Sequence, residues 1–279
     1  MTYPGGKNGS GVYQQIINLI PPHDTYVEPF LGSGAIIRMI RPARQSIGID
    51  INPDVISELR QSQTPDLSLI VGCGMKYLEE TLLFPDTFIY CDPPYLMETR
   101  SQKRRIYPYE LDDADHARLL RAIMGIDAMV MISGYPNAIY DAVLSSWHTH
   151  TFQTTTRGGS AVTEKLWMNY SKPKELHDYR YLGSNFRERE GLKRKKKRWT
   201  ARLQAMPDLE RLMLAQAIAE TGETGRHRQK EATAPVDTAG DGGTRSPETA
   251  MVDATTAEAS PQDPAGDIGV YDTVPEIEY

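Results

Sequence analysis

Thr87-Phe88-Ile89-Tyr90-Cys91-Asp92-Pro93-Pro94-Tyr95-Leu96 joins an apolar run of strand length to Asp-Pro-Pro-Tyr. Phe88 to Cys91 reads as a buried strand that Pro93 must end, because neither proline has an N–H to give to a ladder. The prolines also hold Asp92 and Pro93 near extended geometry. A stiff lip results at the C-terminal end of a strand, where open α/β sheets bind ligands. It offers one carboxylate, backbone carbonyls and one aromatic face. A planar amine needs acceptors for its two N–H groups and a flat wall. Asp92 and the Pro93 carbonyl are candidate acceptors, and Tyr95 is a candidate wall. Taken alone, the tetrapeptide is explained equally well by a proline turn with Asp92 as a turn residue.

The surrounding chain gives this lip a context. Upstream, Thr25-Tyr26-Val27-Glu28-Pro29-Phe30-Leu31-Gly32-Ser33-Gly34 predicts a strand, a glycine turn and a helix starting near Ala35. Gly32 and Gly34 clear side chains from a turn against which a cofactor can lie, and a helix start offers free N–H groups. The full G-x-G-x-x-G pattern is absent, so a dinucleotide is not indicated. Ser46-Ile47-Gly48-Ile49-Asp50-Ile51-Asn52 predicts a second strand, with Asp50 sixteen residues after Gly34. An acid there is placed to accept from ribose hydroxyls; the alternative is a helix cap, a role that Asn52 before Pro53 suits better. Helices are expected over 53–61 and from Met75 to Leu83, with a third strand at Leu67 to Val71 between them. At the start, Tyr3-Pro4-Gly5-Gly6-Lys7 combines close backbone approach with a mobile cation. The alternation of strands and helices predicts a mostly parallel α/β sheet.

In this order, Tyr-Pro-Gly-Gly-Lys, Glu-Pro-Phe-Leu-Gly-Ser-Gly, Gly-Ile-Asp-Ile-Asn and Asp-Pro-Pro-Tyr resemble the Dam-type DNA adenine N6-methyltransferases. Met131-Ile132-Ser133-Gly134-Tyr135 and Thr163-Glu164-Lys165-Leu166-Trp167-Met168-Asn169-Tyr170 look like later strands of the same fold. The resemblance covers roughly residues 2–170. It implies a Rossmann-like methyltransferase fold that uses S-adenosylmethionine on double-stranded DNA. By position, Tyr3, Lys7, Asp50 and Asp92 would line the cofactor pocket, with Gly32 and Gly34 in its floor. Asp92, Pro93, Pro94 and Tyr95 would hold a flipped adenine. The chain departs from the family at Gly72-Cys73-Gly74, where an acid often stands, and its first motif begins almost at the first residue.

Larger relatives carry a recognition domain between the glycine motif and Asp-Pro-Pro-Tyr. Here fewer than sixty residues separate Gly34 from Asp92. Recognition is therefore expected from small insertions near 96–110 and 150–163. The first holds Arg100, Lys103, Arg104 and Arg105, interleaved with Tyr107 and Tyr109, a pattern that suits phosphate contact and stacking. The second holds Arg157-Gly158-Gly159-Ser160, a candidate hairpin tip. A helix is expected from Asp112 to Met124, with His116 structural, then a strand from Ala128 to Ser133 and a helix from Ala138 to Leu144. Lys193-Arg194-Lys195-Lys196-Lys197-Arg198 is a cationic run fit for a DNA backbone, Lys195 and Lys196 included.

The whole chain has 279 residues and a net charge of −6. That balance misleads, since residues 221–279 hold twelve acidic and four basic residues, which leaves +2 for the rest. Three regions are expected: a methyltransferase domain over 1–180, a basic helical extension over 181–220, and an acidic tail over 221–279. The tail is too poor in large apolar residues to offset its ordering entropy and is expected to be disordered. No signal peptide or membrane-spanning run is read. Cys73 and Cys91 show neither metal-site nor disulfide spacing, so no metal is expected and a cytoplasmic setting is the simplest reading.

Overall fold

The computed structural model describes residues 6–9, 11–61, 66–100, 105–155 and 159–231, with side chains to Thr221. Tyr3, Lys103, Arg104 and Arg157 lie outside the described residues, as does 232–279, most of the expected tail. The chain divides into two compact units, Met1–Leu212 and Met213–Tyr279.

The first unit is built on one seven-stranded sheet. Its strands are β1 (Thr25–Glu28), β2 (Gln45–Asp50), β3 (Leu67–Val71), β4 (Thr87–Cys91), β5 (Met129–Gly134), β6 (His148–Thr155) and β7 (Ala161–Met168). The spatial order is β3-β2-β1-β4-β5-β7-β6. The first five strands are parallel, and β7 runs antiparallel to both β5 and β6. The helices are α1 (Val12–Ile17), α2 (Ala35–Met39), α3 (Pro53–Gln61), α4 (Gly74–Glu80), α5 (Asp113–Met124), α6 (Ala138–Val143) and α7 (Phe186–Ala205).

The central strands are apolar throughout because both of their faces are covered, as parallel sheets require. Side chains alternate between two cores. Tyr26, Phe88, Tyr90 and Met131 pack with Ile16, Ile36 and Ile56 on one face. Val27, Ile89, Val130 and Ile132 pack with Leu78, Leu119 and Ile123 on the other. Helices therefore flank the sheet on both sides. Two capped starts match their sequence signals. Asp112 accepts from the Asp115 N–H in a reciprocal capping box, and Asn137 accepts from the Tyr140 N–H.

Three expectations change. Most of 150–163 is strand: β6 and β7 pair from His148↔Met168 to Thr155↔Ala161. Among the described residues of this stretch, only Gly159 and Ser160 lie outside the two strands. The helical extension expected over 181–220 is broken, because α7 ends at Ala205 and Pro207 forces Met206 into extended backbone. The next helix, α8, spans Asp208–Glu231 and so runs past Thr221, where the tail was expected to begin. Among the described residues, no helix is long and apolar enough to cross a membrane.

Candidate active site

The strand order reverses between β1 and β4, the switch point at which open α/β sheets bind ligands. A cavity of about 350 Å³ lies there. Its floor is the turn after β1, with Glu28, Phe30 and Gly32 in its lining. Asp50 and Ile51 follow β2, Cys73 and Gly74 follow β3, and Asp92, Pro93 and Pro94 follow β4.

The glycine turn is held by carboxylates. The Gly32 N–H donates to Asp50 Oδ2 at 2.8 Å, and the Asn52 N–H to Oδ1 at 2.9 Å. Asp50 thus ties the ends of β1 and β2 together while lining the cavity. Burial raises its pKa, and these two N–H groups partly offset the rise. Gly34 has φ +60°, a left-handed conformation that disfavours a side chain. Gly74 is constrained by space: an added Cβ would lie 1.9 Å from the Pro29 carbonyl oxygen. The departure from the family pattern at 72–74 therefore includes one position that only glycine fits. Glu28 is 3% exposed and lines the same cavity. Its Oε2 accepts from the Tyr26 hydroxyl and the Ile37 N–H, both at 3.1 Å. Burial pushes its carboxyl up to about 8.

Lys7 is not the mobile cation expected from its glycine-rich neighbourhood. It is 4% exposed and donates to Asp92 Oδ1 at 2.7 Å and to the Tyr95 hydroxyl at 2.8 Å. Glu164 Oε2 lies 3.8 Å away. Burial opposes its charge, but Asp92 and Glu164 outweigh that effect and hold the ammonium well above the usual lysine range. Ser133, fully buried on β5, also donates to Asp92 Oδ1, at 2.8 Å, and its oxygen lies 3.1 Å from the Tyr90 hydroxyl. One oxygen of Asp92 is thus clamped from two sides. No hydrogen bond to Oδ2 occurs among the described residues, and Asp92 lines the cavity.

The sequence pattern suggested Lys7 and Asp92 but not their pairing, and it missed Ser133, Glu164 and Glu28 as members of the site. Ser133 and Glu164 lie within motif stretches, yet only strand adjacency shows which of their residues face Asp92. Tyr95, expected to hold a flipped base, is packed within the site. Its ring is 8% exposed and edge-on to Tyr135, with centroids 4.8 Å apart, and its hydroxyl is shared between Lys7 and Glu164. It does not line the cavity.

Arg100 is a correction. Expected on DNA phosphates, it is 7% exposed and points inward. Its Nε and Nη2 donate to the Tyr95 carbonyl, and its fork grips Glu110 at 2.8 and 2.6 Å. Glu110 also accepts from the Ile106 and Tyr107 N–H groups, at 2.7 and 3.0 Å. A guanidinium satisfies several acceptors at fixed angles, so it suits a buried brace as well as it suits a phosphate. Arg105 is exposed, as are Lys195 and Lys196 on α7, which buries no residue. His116 is buried with Nδ1 2.9 Å from the Tyr140 hydroxyl, outside the cavity lining.

A parallel 3-2-1-4-5 sheet with a carboxylate-lined cavity at its switch point defines a Rossmann-like α/β fold. Residues 3–81 match the family model described as D12 class N6 adenine-specific DNA methyltransferase. That match makes the first third of the chain similar to adenine-specific DNA methyltransferases. The matched stretch holds the glycine turn and Asp50 but ends before Asp92. No curated protein matches the chain in sequence. Solved structures similar to it include Thermoplasma acidophilum 1320, at 11% identity over 57% of this chain and 86% of that one, with a TM-score of 0.41. The 23S rRNA methyltransferase ErmE shows 9% identity over 63% and 72%, with a TM-score of 0.41. The N-methyltransferase NodS from Bradyrhizobium japonicum shows 10% identity over 57% and 94%, with a TM-score of 0.42.

Proposed function

We propose that this protein methylates the exocyclic amino group of adenine in double-stranded DNA, with S-adenosylmethionine as donor and the target base turned out of the helix. The observation that carries this reading is the clamped Asp92. Lys7 and Ser133 hold Oδ1, which leaves Oδ2 for an N–H donor in the cavity. A neighbouring backbone carbonyl, that of Pro93, supplies the second acceptor that a planar amine requires.

The cavity suits the donor. Glu28, Asp50 and Asp92 line it beside apolar Phe30, Ile51 and Leu111, a set fit for a ligand with hydroxyls, a flat ring and positive charge. When bound, the donor supplies an activated methyl on a sulfonium sulfur. The chain then has to align and to exclude water. Asp50 is placed for ribose hydroxyls at the end of β2. Asp92 Oδ2 draws on an amino N–H and so localises the nitrogen lone pair toward the methyl. Transfer would form the N–C bond as the donor's sulfur kept the electron pair of its C–S bond, and the extra amino proton would leave to solvent. No covalent enzyme intermediate is required. Cys91 is buried, and burial raises its thiol pKa well above the usual range, so it makes a poor nucleophile.

In this reading, residues 1–180 form the methyltransferase domain and 181–220 a basic extension that meets the DNA backbone. Arg105, Lys195 and Lys196 are exposed cations available to phosphates. The test is to incubate the protein with labelled donor and unmethylated DNA, digest, and separate the nucleosides. Label in N6-methyladenine is expected. Label only in methylcytosine, or only in an RNA control, overturns the reading.

A further inference from the structure

We propose that the outer half of the β6–β7 ribbon reads base pairs beside the target, with Gln153 as its principal contact. This inference rests on the adenine-methylation reading and deepens it by naming the surface that selects the site. β5 ends at Gly134, opposite Lys165 of β7. β6 and β7 stay paired beyond that point, through Phe152↔Glu164, Gln153↔Thr163, Thr154↔Val162 and Thr155↔Ala161. At about 3.3 Å per residue, these pairs carry the ribbon roughly 13 Å past the C-terminal end of β5. β5 runs parallel to β4, so the overhang stands at the same end of the sheet as Asp92. Its base is tied to the Asp92 lip, because Glu164 Oε2 lies 3.8 Å from Lys7 Nζ and accepts from the Tyr95 hydroxyl at 3.5 Å.

The chemistry of the overhang suits base edges. Outside Glu164, its described residues, 153–155 and 159–163, carry no charged side chain. Without a cation, it adds little to the release of counterions from phosphates. Hydroxyls and an amide both donate and accept, as base edges do, and sequence is read at those edges. Gln153, Thr155 and Ala161 are exposed, and a two-stranded ribbon fits the width of a major groove. Gln153 Nε2 donates to Thr163 Oγ1 at 2.8 Å, across the ribbon. That bond occupies one amide N–H and fixes the side chain. The other N–H and the carbonyl oxygen are the two groups that a glutamine sets against adenine N7 and N6. A side chain held in place before binding loses little freedom when it meets a base.

The experiment uses the full chain, unaltered and with Gln153→Ala or Thr163→Val. N6-methyladenine is first mapped on plasmid DNA methylated by the unaltered protein. Then kcat/KM is measured on a duplex with the preferred site and on duplexes with each flanking base pair changed in turn. The salt slope of duplex binding and thermal melting are measured alongside. Gln153→Ala should lower kcat/KM on the preferred site roughly fivefold to a hundredfold. On the duplex altered at one flanking position it should match the unaltered protein, so that preference at that position is lost. The salt slope should not change, since no cation is removed. Thr163→Val removes the hydroxyl at nearly equal volume and should give a smaller loss at the same position. An equal loss on every duplex would make the ribbon a support rather than a reader and overturn the proposal. Full activity with unchanged preference in Gln153→Ala would overturn it too, as would an unaltered protein that methylates adenine in every context. In those cases the function reading stands. Absence of N6-methyladenine with the unaltered protein would sink that reading, and this proposal with it.

Discussion

Asp92 is a carboxylate with its two oxygens assigned to different tasks. Ser133 and Lys7 fix Oδ1, and the second oxygen is left for the cavity. Asp92→Ala should abolish methylation, with a loss of about 10²-fold or more in single-turnover rate at saturating donor, as for other preorganised partners of a reacting group. It should also lower the melting temperature, because it removes a partner from a buried lysine. Ser133→Ala should leave donor affinity intact and lower the single-turnover rate, since it only loosens the clamp; an unchanged rate would remove Ser133 from the site. Glu28 provides a pH test. Its carboxyl is near 8 when folded and near 4.5 when unfolded, so the folded state holds the extra proton. Its contribution to stability is best below the unfolded value and declines as pH rises toward 8. Glu28→Gln should therefore gain melting temperature over the parent protein as pH increases from 5 to 8. A difference that stays constant over that range would show that Glu28 titrates normally.

The segment between β4 and α5 shows how an element can invert a reading made residue by residue. Its cations suggested a DNA-facing loop. Arg100 turned inward instead, because Glu110 and the Tyr95 carbonyl offer it acceptors away from water. Burial alone would raise Glu110, but Arg100 and the Tyr107 and Ile106 N–H groups outweigh it and hold the carboxyl down to about 2. The stabilisation is present above the unfolded carboxylate value and fades as pH falls through 2. Removing one partner of such a buried pair costs about 3–5 kcal/mol. Arg100→Met should thus destabilise the protein at pH 7 far more than Arg105→Met, which alters an exposed side chain. Equal melting temperatures for the two variants would contradict the brace.

At the scale of the molecule, charge is segregated. The cationic run at 193–198 lies on exposed α7, whereas the acidic excess lies beyond Thr221. A run of this kind reads phosphate rather than bases. Neutralising Lys193, Lys195, Lys196 and Lys197 should weaken binding to every duplex and lower the salt slope by up to about 0.9 for each phosphate that is no longer neutralised. A changed sequence preference at an unchanged slope would mean that these side chains read bases. Deleting 232–279 should keep turnover on a short duplex within about tenfold, because that composition contributes little apolar burial.

Local pattern determined the layers of this protein. Strand-length apolar runs, glycine turns and the proline stop after Cys91 each act within a few residues, so β1 to β5 and the helices between them were legible in the chain. The lip at Asp92 and the acid at Asp50 were legible for the same reason. Contacts across 85 and 41 residues, Lys7 to Asp92 and Ser133 to Asp92, were not. Nor was the choice of Arg100 between a phosphate and Glu110, or the sharing of the Tyr95 hydroxyl between Lys7 and Glu164. Those outcomes depend on which strands become neighbours and on which acceptors stand within reach once water is excluded. Only the folded sheet sets these distances, and with them which side chain meets the substrate and which one braces it.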